Sequence, residues 1–474
     1  MATISSLGVG SGLDSEGIIS ALMAVERKPI TLLTQATTDI KTQLSSIGKM
    51  QSLVATMRDK ASAISSATLW GQTKLTSADA TVVTGSSSNG AAAGRYSVTV
   101  QALAASQTAT STIFASSSST LNEGTLTLEL GAWSGTTFTA KSGSSPVNIT
   151  IGAGETDLAS IRDKINAAGA GVTATIVSDA NGARLSLRSD ATGEENGFRV
   201  TATETTDDGV ANTGLSALGY DAAVASPMTL NQSAANALAT INGISVESTS
   251  NTFAEVAGGI SLTVGKVSAT AVEVTVEDDN DAVTTAINDF VSAFNELANY
   301  IKDQTKYNEE SKTGGPLQGD RTVIGLQWQL RGVINQASSA SSSWSMLSEV
   351  GIQMKADGTL GVTSSKLDAA LENPDELRKL LATDGADSGS SGFMDRFKDL
   401  GNTVLGSDGS LETLQQSLNG RVERNDDRQA QMEDRLTRTE ARIRAQYEAL
   451  DTSMAKLNAL SSYVTQQLAS LSNG

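Results

Sequence analysis

The chain has 474 residues, 39% of them hydrophobic but only 4% aromatic, with 34 Lys and Arg against 52 Asp and Glu for a formal net charge of -18. That length accommodates two to four domains, and small side chains with few aromatics suit thin, elongated domains better than one wide core. The absence of Cys and His excludes disulfides, thiolate nucleophiles, Cys- or His-ligated metals, Ser-His-Asp chemistry and imidazole pH sensing.

The acidic balance disfavours nucleic acid and anionic lipid as partners. The longest central uncharged stretch, Tyr96 to Asn122, is interrupted by Ser, Thr, Gln and Asn, so no membrane insertion is expected. The first basic residue is Arg27, so positions 1 to 26 lack the basic segment of a cleaved signal peptide, and secretion would need another export route.

After the Gly/Ser-rich opening, apolar residues recur at Ile18, Leu22, Val25, Pro29, Leu32, Ala36 and Ile40, then Leu44, Ile47, Met50, Val54, Met57, Ala61 and Ile64. Spacings of three and four predict one or two long amphipathic helices, with Asp14 or Ser15 near the N-cap. From residue 76 to 276 the texture changes to Thr, Val, Ser, Ala and Gly with period-two segments such as Tyr96-Val98-Val100 and Val147-Ile149-Ile151, which predicts a β-rich region. A short helix with Thr156 as its N-cap is expected over Leu158, Ile161 and Ile165. Asn181-Gly182 is expected to form a type I′ hairpin. A weak repeat links "ETDLASIRDKINAAGAGVTATI" to "NQSAANALATINGISVESTS", each predicted to join a short helix to a strand through Ile165-Asn166 or Ile241-Asn242.

Helix returns at Val283, Ile287, Phe290, Phe294, Leu297 and Ile301, an unbroken stripe. A break at Gly314-Gly315-Pro316 precedes a second helix with Leu317, Ile324, Leu330 and Ile334 near one face. A hairpin is expected to turn at Asp357-Gly358, and Asn373-Pro374-Asp375-Glu376 supplies an N-cap, a Pro at N1 and a Glu at N3. The tail runs Leu436, Thr439, Ile443, Tyr447, Leu450, Met454, Leu457, Ser461, Val464 and Leu468, a heptad rhythm with one extra four-residue step that reads as a coiled coil with a stutter.

This order predicts a multidomain α+β protein in which a terminal α-helical coiled coil and a helical bundle enclose inserted β-rich head domains. Residues 1–45 form an N-terminal leg paired with 425–474. Residues 46–78 and 279–424 form the bundle, with 46–68 packing on 281–303 and 317–337. Residues 79–278 form the head, in two subdomains. The expected assembly seams are Ile18, Leu22, Val25 and Leu32, then Phe290 and Phe294, then Leu436, Ile443, Leu450, Leu457, Val464 and Leu468.

Chemical motifs are weak. Gly8, Gly10 and Gly12 lack dinucleotide-loop spacing, "GGPLQGDR" lacks the Walker Lys, and Glu277 to Asp281 lacks the Gly and Glu of an EF-hand. No catalytic, cofactor or metal residues are expected. The segments "GLDSEGIISALMAVERKPI", "GRYSVTVQALAASQT", "INGISVES", "GPLQGDRTV", "LSEVGIQMKADGTLGVTSSKLDAAL" and "LNALSSYV" occur in this order along the chain. Through them the chain resembles the flagellar hook-associated protein 2 family, the filament-capping proteins. That resemblance implies a secreted, non-enzymatic, ring-like homo-oligomer at the distal tip of the bacterial flagellum that promotes folding and insertion of exported flagellin. It also implies contact with hook-filament junction protein and flagellin, a flagellar export chaperone, and passage through the type III channel. The alternatives are a flagellin-like or hook-junction subunit, or an adhesin binding host glycans or mucin through the β-rich head.

Overall fold

The computed structural model describes residues 12–310 and 312–472, so Gly8 and Gly10 lie outside the described residues. The fold is α+β and divides into two compact units, residues 12–69 with 280–472 and residues 70–279.

The helical unit opens with α1 (Ser15–Glu26), capped by Asp14, whose carboxylate accepts from the Gly17 amide at 2.9 Å. Arg27 passes the chain into α2 (Lys28–Ser65), where Pro29 falls in the first turn and its missing N–H breaks no helical bond. The buried side of α2 carries Ile40, Ile47, Met50, Leu53, Val54, Met57, Ala61 and Ile64. One turn, α3 (Ala67–Trp70), follows.

The β unit is nested. Strands β1 (Thr73–Ser77), β2 (Val83–Ser87) and β3 (Gly94–Ala102) begin one core, and the chain then leaves to build a second. That second core holds β4 (Thr108–Thr110), β5 (Gly124–Ser134), β6 (Thr137–Ala140), β7 (Val147–Ile151), α4 (Leu158–Ala167), β8 (Val172–Asp179), β9 (Gly182–Ser189), β10 (Gly197–Glu204) and β11 (Thr229–Gln232). The chain returns through β12 (Ala237–Ile241), β13 (Ile244–Ser248), β14 (Thr252–Ala257), β15 (Ile260–Val264) and β16 (Ser268–Asp278). The first core lies between sheets ordered β1-β16-β3-β12-β13 and β14-β15-β2, and buries Val98, Val100, Leu262 and Val274. The second lies between β10-β5-β6, with β7 also on β5, and β11-β4-β9-β8, and buries Leu126, Leu128, Ile161, Leu185 and Phe198.

Three local expectations are corrected here. The β8–β9 hairpin pairs Asp179 with Gly182, so its central residues are Ala180 and Asn181, not Asn181 and Gly182. The Asp179 carboxylate accepts from the Asn181 amide at 2.7 Å and organises the turn, while Gly182 is needed because a Cβ there would lie 2.1 Å from the Phe114 carbonyl oxygen. The type I′ turn occurs instead at Asn242-Gly243, with φ of 50° and 81° between the paired Ile241 and Ile244. The second copy of the supposed repeat therefore contains no helix. Its Ala-rich segment is β12, because Ala237, Ala239 and Ile241 alternate into the core against β3 and tertiary pairing overrides the helix propensity of alanine. The N-cap of α4 is Asp157, accepting from the Ser160 amide at 3.0 Å, rather than Thr156.

Back in the helical unit come α5 (Asn280–Thr305), the short pair β17 (Tyr307–Asn308) and β18 (Thr313–Gly314), and α6 (Arg321–Asn335). The hairpin β19 (Ile352–Met354) and β20 (Leu360–Val362), α7 (Ser364–Leu371), α8 (Pro374–Ala382), α9 (Phe393–Leu405) and α10 (Ser410–Ser472) complete it. The main partners of α2 are α9, α5 and α10, whereas α6 packs chiefly on α9, α5 and α10. Phe397 from α9 meets Phe290 and Phe294 with ring centroids 5.0 and 5.9 Å apart. On α6 the buried stripe is Val323, Leu326, Leu330 and Ile334, and Ile324 is exposed. At α8, Asn373 makes no side-chain cap bond. Glu376 turns instead to the loop at 341–343, accepting from the Ser342 amide at 2.7 Å and the Ser341 hydroxyl at 2.7 Å.

Candidate functional site: the terminal helices

The first half of α10 lies along α2 and α1. Leu411 and Leu418 are buried, Val422, Asn425, Gln429, Leu436, Thr439 and Ile443 are half-buried, and from Lys456 to Ala469 every side chain is exposed. The seam thus weakens with distance from the core. Its polar members explain part of this: the Thr34 hydroxyl reaches Gln429 Oε1 at only 3.4 Å, and the buried Thr37 hydroxyl has no hydrogen-bond partner among the described residues. An unmet buried hydroxyl removes stability instead of adding it. At the far end Arg444 donates to Glu16 at 3.0 Å, and the Glu16 and Glu440 carboxylates hold its guanidinium pKa above the usual value. Such an exposed pair orients helices but contributes little energy.

The two apolar faces are arranged differently from expectation. Ile19 and Met23, with Thr37 and Ile40, form the buried side of α1 and α2, whereas Ile18, Leu22, Val25 and Leu32 are exposed, Leu32 at 72%. The doublets Ile18-Ile19, Leu22-Met23 and Leu32-Leu33 offer two stripes one residue apart, and the packed one is the stripe the periodicity left out. On α10, Leu436 and Ile443 are half-buried, while Leu450, Leu457, Val464 and Leu468 are exposed at 44%, 59%, 47% and 62%. Leu460 and Tyr463 extend the same exposed face and escaped the heptad count.

Phe290 and Phe294 do not belong to any surface. They are 0% and 1% exposed, enclosed with Phe397. Contrary to the expected assembly seam, they belong to the chain's own core, where large aromatics on a regular helical stripe supply the most burial. Exposed Trp328 on α6 was also absent from the expected set.

The acidic residues form caps. Glu204, Asp207 and Asp208 bring carboxylate oxygens within 4.8 Å of one another, yet Glu204 accepts from Asn122 and the Ser216 amide, and Asp208 from Thr213 and the Val210 amide. Those hydrogen bonds, led by Thr213, lower the Asp208 pKa. The donors around these oxygens are protein groups closing a loop, so the set does not have the chemistry of a cation cage. No helix among the described residues is long and apolar enough to cross a membrane.

The fold and this surface define an interaction protein: two nested β cores joined to a helical unit whose terminal helices present unpaired apolar faces. Family models for the flagellar hook-associated protein 2 N-terminus and C-terminus match residues 11–107 and 234–459, and one for the flagellin hook IN motif matches 137–191. Flagellar hook-associated protein 2 of Escherichia coli (strain K12) is 32% identical over 489 residues, covering 100% of both chains. That of Salmonella typhimurium is 31% identical over 485 residues, covering 99% of each. The crystal structure of the D1-D2-D3 domains of the Escherichia coli flagellar cap protein superposes with a TM-score of 0.60 at 30% identity, covering 79% of this chain and 99% of that one. The chain belongs to the flagellar hook-associated protein 2 family.

Proposed function

We infer that this protein is a secreted, extracellular flagellar filament cap that aids polymerisation of exported flagellin at the filament tip, acting as a homo-oligomer and without catalysis. The observation that carries this reading is agreement with the family over the whole length, including both terminal segments. In the proposed mechanism the β unit forms the head and the terminal helices form legs. The exposed face Leu450, Leu457, Val464 and Leu468, with Ile18, Leu22, Val25 and Leu32, supplies apolar area that a neighbour can cover, at about 25 cal/mol per Å² removed from water. A coiled-coil leg would then be completed between chains, and a cap held by such modest contacts can release and rebind as flagellin adds beneath it.

Export through the type III channel is compatible with a chain that has no disulfide to break. Contact with hook-filament junction protein and with an export chaperone belongs to the same reading. The test is expression of Leu457→Asp/Val464→Asp in cells lacking their own cap protein, with export of the variant confirmed. The expected result is short or absent filaments with abundant monomeric flagellin in the medium. Normal filaments would show that this face is dispensable and overturn the assignment of the legs.

A further inference from the structure

The β unit contains a cleft that the capping role does not use. Its walls are Trp133, at the end of β5, and Tyr220, whose rings stand 5.9 Å apart at 78° and so form an aromatic corner. Gln107 backs it, with its amide fixed between the Phe198 N–H and C=O at 3.0 and 2.9 Å. The Trp133 indole N–H is likewise committed, donating to the Phe198 carbonyl at 3.0 Å. Glu194, Leu230 and Ser233 complete the rim.

Two polar groups are left over. Tyr220 is 4% exposed as a residue, but its hydroxyl oxygen reaches the surface of the cleft and makes no hydrogen bond to another described residue, so it is free to meet an occupant. The Glu194 backbone amide is held by Asn236, and its solvent-exposed side chain at the rim has no protein partner among the described residues. An oxygen acceptor inside an aromatic corner with a carboxylate at the mouth is the arrangement that receives a cation with hydrogen-bond donors. No basic residue lines the cleft. The nearby Arg199 is neutralised by Glu129 and faced by Asp221 at 4.0 Å, with its guanidinium over Phe138. Residues 70–279 carry twenty Asp and Glu against nine Lys and Arg, so the surrounding field also draws cations in.

We propose that this cleft binds an alkylammonium group, the chemistry shared by a lysine side chain of another protein and a free primary amine. The ammonium sits in the Trp133–Tyr220 corner, donates to the Tyr220 oxygen and the Glu194 carboxylate, and its alkyl stem lies against Leu230. Ser233 and Gln107 belong to the two segments joining the β cores, next to the Ala105–Ala235 bridge, so an occupant touches both connections.

The experiment uses the full chain labelled with 5-fluorotryptophan, whose four tryptophans give four ¹⁹F lines, with Trp133→Phe assigning the relevant one. At constant ionic strength the chain is titrated separately with n-butylammonium, a blocked Gly-Lys-Gly peptide, n-butanol and methyl glucopyranoside. The expected result is a saturable shift of the Trp133 line with the amine and the peptide, absent with the two neutral probes, and weakened at least threefold by Tyr220→Phe and by Glu194→Gln. Tighter binding of the peptide identifies a protein lysine as the source, and tighter binding of butylammonium a free amine. The rim position of Glu194 and the three remaining ¹⁹F lines control for folding. The proposal is overturned if neither amine gives a saturable shift, if a neutral probe binds as well, or if Glu194→Gln binds unchanged.

Discussion

The second half of α2 and the last third of α10 are both long, amphipathic helical segments, and they meet opposite fates. Ile47, Met50, Val54, Met57, Ala61 and Ile64 are 0% exposed against α5, α9 and α10, whereas Leu457, Val464 and Leu468 are 47–62% exposed. The difference lies in the partners. Where the chain returns with Phe290, Phe294 and Phe397 it supplies enough apolar area to close a core. Beyond Arg444 the described residues offer α10 little to pack on, and an isolated helix in water is marginal. An apolar stripe thus specifies that something must cover a helix, and only the rest of the fold decides whether the cover is in the same chain.

The comparison can be broken by giving both regions the same substitution. Val54→Asp places an unpaired carboxylate in a sealed core, a loss of several kcal/mol, and the helical unit should lose its cooperative thermal transition in a dilute sample. Next in size, Phe397→Ala opens a cavity beside two phenylalanines and should cost about 3–5 kcal/mol in denaturant unfolding. Retention of wild-type stability would mean the aromatic cluster does not hold α9 on α5.

A pH effect follows from Glu376. Its bonds to Lys379, Ser341 and Ser342 lower its pKa from 4.5 to about 2. A lowered carboxylate pKa contributes stability that is present above 4.5 and is lost as pH falls toward 2. The melting-temperature deficit of Glu376→Gln should accordingly be present at pH 6 and close between pH 4.5 and 2; a deficit constant across that window would contradict it. Gly243→Ala, at φ 81°, should cost about 1 kcal/mol, read as a lower midpoint for the β unit. Smallest of all, Val464→Asp should leave dilute-solution stability within about 0.5 kcal/mol of wild type, and a larger loss would reveal a partner for that face within the chain.

Much of this was legible in the residues. The α5 stripe could be read because Val283, Ile287, Phe290, Phe294, Leu297 and Ile301 recur without a break and Val291, beside Phe290, is buried with them, though only packing could show that the stripe is interior. The stripe on α1 could not be placed from periodicity, since Ile18 and Ile19 satisfy it equally well. Asn-Gly occurs at both 181 and 242, and the pairing register, set by β9 against β8 and β12 against β13, decides which one turns. The partnership of α9 with α2 was missed because α9 is short and far along the chain. The aromatic corner was invisible: Gln107, Trp133, Glu194, Tyr220 and Ser233 are scattered over the nested β unit and converge only when both cores are built.

The central claim, that the end of α10 waits for a partner from outside the chain, is tested most directly by hydrogen exchange on the full chain, dilute and free, against the same chain bound at filament ends. The account predicts that amides of residues 47–64 are strongly protected in both states, and that those of 450–468 exchange rapidly in the free chain and become protected on binding. Protection of 450–468 in the dilute chain equal to that of 47–64 would contradict it.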